Sequence, residues 1–86
     1  MSWPDAEIAA IGSRGELGAY LTSLARRVAA NEMHVENASA DSLVDAAGRW
    51  VESMDGFFEN VMGTPVPAEP SWQMIAAIFR AALIYE

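Results

Sequence analysis

The side chains best placed to do chemistry are three carboxylates and one histidine. Glu52, Asp55 and Glu59 follow one another at intervals of three and four residues, a spacing that stacks them along one side of an α-helix. Joined by Asp41 or Asp45, such a set can hold a hard cation or divide into a general acid and a general base. His34 lies in Glu32-Met33-His34-Val35-Glu36, and a histidine beside carboxylates can act as a base or a metal ligand. A metal site needs further ligands in fixed geometry, and neither an HExxH nor an EF-hand pattern occurs. The simpler readings are a solvated acidic face that a basic protein can contact, and a solvated histidine at a helix end.

Other chemistry has less support. Gly12-Ser13-Arg14-Gly15-Glu16-Leu17-Gly18 has the glycine content of a phosphate loop. It lacks the Gly-x-Gly-x-x-Gly spacing, a preceding strand and a P-loop lysine. No serine sits in a nucleophile elbow, and one histidine does not make a triad. Cysteine is absent, which excludes disulfides, thiolate nucleophiles and cysteine-ligated zinc or iron–sulfur centres. No cofactor is implied.

Twelve acidic residues oppose five arginines, with no lysine, for a net charge of −7. That balance repels nucleic-acid backbones and anionic lipid, and it suits a basic protein partner. The amino terminus lacks the basic start and apolar run of a secretory signal. The most apolar stretch, Met74 to Tyr85, is interrupted by Arg80 and too short to cross a bilayer. These features point to a cytoplasmic protein that binds neither membrane nor nucleic acid. The 86 residues suffice for one helical domain, 1–86.

Four helical segments would position these groups. The first runs from about Asp5 to Ile11, with Pro4 before it and Gly12 as its stop. The second opens on Ser13 and Glu16, the pattern of a capping box, and Leu17, Tyr20, Leu21, Leu24 and Val28 give it an apolar stripe. It ends near Asn31 to Met33, and the first two segments are either separate or one kinked helix. His34 to Ala40 is a connection in which Asn37, Ser39 and Asp41 compete to cap the third helix. That helix runs from about Asp41 to Val61, with Leu43, Ala47, Trp50, Met54, Phe57 or Phe58, and Val61 on one face, which Val44 and Val51 widen. Gly48 and Gly56, eight apart on similar sides of the helix, either permit close approach of another helix, or Gly56 marks a break.

Pro65, Pro67 and Pro70 make a rigid loop. Ser71 caps the last helix, Trp72 to about Tyr85, which is apolar nearly all round. Such a helix must be covered on more than one side, as the hub of the bundle or the seam of a dimer. Trp50 and Trp72 are expected in the core, while Trp3 covers a core edge or joins a dimer contact. The fold class is therefore all-α, a compact bundle of three to four helices.

One pattern extends beyond periodicity. Val35-Glu36-Asn37-Ala38-Ser39 leads to Leu43, Ala46-Ala47, Trp50 and Asp55. After the proline loop come Pro70-Ser71-Trp72, Ala76, Ile78, Ala81-Ala82 and the ending Ile84-Tyr85-Glu86. From Val35 onward the chain resembles a group of small uncharacterised bacterial helical proteins with a P-x-W…A…I-Y-E tail. Val35 departs from that group, which carries a tryptophan before the Glu-Asn pair. The resemblance implies a compact helical domain with an accessory or immunity-like role beside larger proteins, and it implies no enzyme activity.

Three functions compete on these terms. The leading one is a protein–protein interaction module using Glu52, Asp55 and Glu59. The second is a small metal-assisted or acid–base enzyme combining those carboxylates with His34. The third is a homodimer without chemistry.

Overall fold

Each helix starts where a side chain replaces a missing intrahelical bond. The computed structural model describes residues 3–85. Asp5 Oδ1 accepts hydrogen bonds from the backbone N–H of Glu7 at 2.9 Å and Ile8 at 3.3 Å, opening α1, Ala6–Ala9. Ser13 Oγ accepts from Glu16 N–H at 3.1 Å, opening α2, Arg14–Ala29. The Glu16 carboxylate reaches back as a capping box requires, but it accepts from Gly12 N–H at 3.0 Å rather than from Ser13 N–H. α1 and α2 are thus separate helices.

Ser39, among the three competitors, caps α3, Ala40–Phe57, and Ser71 caps α4, Trp72–Ala82. Caps of this kind contribute roughly 1 kcal/mol each. α3 continues without a gap into a π-helical segment, Phe58–Met62, which closes on Gly63 at φ 72°. Thr64 N–H donates to Phe58 C=O at 3.1 Å across that end. The long third helix expected from the sequence is therefore present, with its last stretch wound wider. No strand occurs among the described residues.

α4 is the hub. α1, α2 and α3 all pack against it, which answers why its sequence is apolar on more than one side. Ala76, Ala77 and Ala82 are buried and small, so neighbouring backbones approach closely. Around them lie Ile8, Ile11, Leu17, Tyr20, Leu24 and Leu83. A second cluster joins Phe58 and Met62 of the π segment to Met74 of α4. Trp3 packs against both clusters and so covers a core edge. Trp72 does not join the core: it is 41% exposed. It is the first residue of α4 and lines a surface groove with Ile11, Gly12 and Ile75.

The end of α4 is held by the connection between α2 and α3. Asn37 Nδ2 donates to the carbonyls of Ala82 and Tyr85, each at 2.8 Å. The backbone N–H groups of Glu36 and Asn37 donate to Leu83 C=O at 2.8 and 3.1 Å. Carbonyls that the helix end leaves without partners are met in this way, and α4 ends at Ala82 rather than at the expected Tyr85. The Tyr85 hydroxyl then shares a hydrogen bond with Ser53 Oγ at 2.9 Å, and the Arg49 guanidinium stands 5.5 Å from its ring centre. No helix among the described residues is long and apolar enough to cross a membrane.

Candidate functional site

Because Leu43, Ala46, Ala47, Trp50, Met54 and Phe57 turn inward, the opposite side of α3 is set by elimination. It carries Val44, Gly48, Val51 and Asp55 in one line, with Glu52 and Glu59 beside them. All three carboxylates of the acidic stripe are exposed. None has a hydrogen-bond or ion-pair partner among the described residues. Asp45, one turn earlier, is by contrast paired with Arg49 at 2.9 Å.

The valines were not part of the expected surface. Val44 is 71% and Val51 39% exposed, and the glycine between them has open space where a Cβ would stand. The outer face of α3 is thus a flat apolar strip bordered by negative charge. At its start, the nearby Ser39 hydroxyl, and after it the backbone N–H groups of Asp41 and Ser42, hold the Asp41 carboxyl below its ordinary pKa. Asp41 therefore favours the ionised form at the helix N-terminus, where a negative charge complements the dipole.

His34 lies elsewhere. It sits in the α2–α3 connection, with its side chain 75% exposed and Nε2 paired with Glu36 Oε1. The groove beside it is lined by Val28, Asn31, Met33, Asn37 and Leu83 among others, and by none of the three stripe carboxylates. The structure does not bring His34 and the stripe to one cavity. No group of three His, Asp or Glu residues among those described is arranged to hold a metal ion. Gly15 and Gly18, read as part of a glycine-rich loop, lie within α2.

Two features escaped the sequence reading. Asn37 stands in the sequence as one of three rival caps for α3, whereas it binds the far end of α4. A signal was available in the pairing of Glu36-Asn37 with the Ile84-Tyr85-Glu86 ending. The described parts of those segments are in contact, while Glu86 lies outside the described residues. The second feature is a pocket between the amino-terminal segment, α3 and α4, lined by Trp3, Asp5, Trp50, Phe57 and Arg80.

Fold and surface together define a small helical bundle whose exposed chemistry lies on one helix face and in one aromatic pocket. A model of a family of unknown function, DUF7660, matches residues 13–86, and the chain belongs to that family. No curated protein and no solved structure matches.

Proposed function

We propose that this protein is an interaction module that docks a basic protein segment on the outer face of α3. The carrying observation is the coincidence on that face of exposed Val44 and Val51 with the unpaired carboxylates Glu52, Asp55 and Glu59. Valines exposed singly need no explanation. Two on one helix face, around a glycine and edged with charge, fit an amphipathic basic helix laid against them. The surrounding charge of −7 speeds the approach of such a partner and disfavours a second copy of the same chain. The reading includes an accessory or immunity-like role, in the cytoplasm of a bacterium, consistent with the P-x-W…I-Y-E tail.

The test is capture at physiological salt with two baits, the natural chain and a Glu52→Lys/Asp55→Lys/Glu59→Lys variant of unchanged circular dichroism. The natural bait should retain a basic protein that the variant loses. Identical retention by both baits, or retention by neither, would sink the proposal. Light scattering of the natural chain checks the homodimer directly, and the expected mass is that of a monomer.

A further inference from the structure

Asp5 has one carboxylate oxygen to spare. Its Oδ1 accepts from the N–H groups of Glu7 and Ile8, while Oδ2 has no hydrogen-bond or ion-pair partner among the described residues. Unlike Nη1 of Arg80, Oδ2 is not sealed from solvent. Asp5 lines the pocket between the amino-terminal segment, α3 and α4. An ionised carboxylate only accepts hydrogen bonds, so a group that pairs with Oδ2 there must donate.

The pocket has a volume of about 260 Å³, with Trp3, Trp50, Phe57 and Ile84 as apolar walls. That is the small end of the range for ligand sites. The aromatic walls brace one another. Trp3 stacks on Phe57 with ring centres 5.8 Å apart, and Trp50 tilts against Phe57 at 5.6 Å. Asp5 and Arg80 are the two charged residues of the lining, and their charges oppose. An anion would meet the Asp5 carboxylate, and a cation drawn to the aromatic faces would meet the Arg80 charge. An uncharged flat ring meets neither penalty.

We infer that this pocket binds an uncharged heteroaromatic molecule of one or two fused rings through a ring N–H. The N–H donates to Asp5 Oδ2, and the ring lies against Trp3, Trp50 and Phe57. Apolar walls hold the body of such a ligand, and a single well-placed acceptor fixes its orientation. A hydrogen bond to an ionised acceptor is stronger than one between neutral groups, so the N–H separates this ligand from an isostere without one. The outer face of α3 plays no part in this site.

The three tryptophans make the test direct, because Trp3 and Trp50 line the pocket and Trp72 does not. Free indole is titrated into the nitrogen-labelled natural chain, with benzofuran, whose ring oxygen replaces the N–H, as the control. The tryptophan side-chain N–H signals are followed by NMR. Indole should give saturable shifts at Trp3 and Trp50 with Trp72 still, and benzofuran should bind at least about tenfold more weakly. Asp5→Asn keeps Oδ1 for Glu7 and Ile8, since asparagine caps a helix as well as aspartate does, and puts an amide nitrogen where Oδ2 stood. It should weaken indole to the level of benzofuran. Equal binding of indole and benzofuran, equal movement of Trp72, an unchanged indole affinity in Asp5→Asn, or the absence of a saturable shift would each overturn the assignment. The comparison of indole with benzofuran uses the natural chain, so it stands even where the variant fails to fold.

Discussion

At the scale of single residues, Asn37 is the most consequential side chain in the bundle. It joins a connection to a helix end 45 and 48 positions away through two bonds of 2.8 Å. Asn37→Ala leaves the carbonyls of Ala82 and Tyr85 short of a donor and should cost about 1–3 kcal/mol. Urea unfolding should show a lower midpoint at unchanged slope. Asn37→Asp should be at least as damaging, since a carboxylate would face two carbonyls. Tyr20 gives a pH signature. Burial, and after it the negative Asp5, raise its phenol above the ordinary value of 10.0, with Arg80 partly offsetting. The folded chain therefore keeps a proton that the unfolded chain releases, and stability should fall as pH rises from about 10 through the folded pKa. Tyr20→Phe should flatten that alkaline decline, read from urea midpoints at about pH 8 and about pH 11. Residue roles of short range were legible in the sequence: Ser13 and Ser71 cap the helices that follow them because a cap and its N–H lie three positions apart. The role of Asn37 was not legible, because its partners are set by tertiary contact and in the sequence it stands beside Ser39 and Asp41 as a rival cap for one nearby helix start.

At the scale of elements, the outer face of α3 and the turn after it make opposite predictions about glycine. Gly48 lies within α3 and has open space where a Cβ would stand, so Gly48→Ala should stabilise the isolated protein by up to about 1 kcal/mol. On the proposed docking face the same methyl would hold a partner helix away, so stability should rise while partner binding weakens. Gly63 has φ 72°, and Gly63→Ala should cost about 1 kcal/mol, because a side chain disfavours the left-handed region. Both are read from thermal or urea unfolding. Four helices and most of their limits followed from periodicity and caps. The π winding of Phe58–Met62 did not, since an apolar run of Phe57, Phe58, Val61 and Met62 is compatible with either winding. In the wider turn Phe58 and Met62 are buried against Met74 of α4, a contact between distant parts of the chain. The exposure of Trp72 was not legible for a related reason: a large aromatic residue at a helix start reads as core until its neighbours are placed.

For the whole molecule, the C-terminal helix is the hub on which α1, α2 and α3 assemble, and α3 is left with one side facing outward. The motif residues of the amino-acid sequence divide accordingly. Asn37, Ser71 and Tyr85 hold the fold together, while Glu52, Asp55 and Glu59 have no described partner within it. The acidic stripe was legible because a carboxylate spacing of three and four needs only a helix. Its apolar companions Val44 and Val51 read, by spacing alone, as part of the inner face, because packing decides which flank of a broad apolar stripe is covered. The docking proposal rests on that corrected division. Its most direct test is the affinity of the captured basic partner, measured by calorimetry over a range of salt for the natural chain and for Glu52→Lys/Asp55→Lys/Glu59→Lys. The expected result is binding that weakens with salt in the natural chain, and a variant that binds at least about tenfold more weakly with little salt dependence. Equal affinity and equal salt dependence for the two proteins would contradict it.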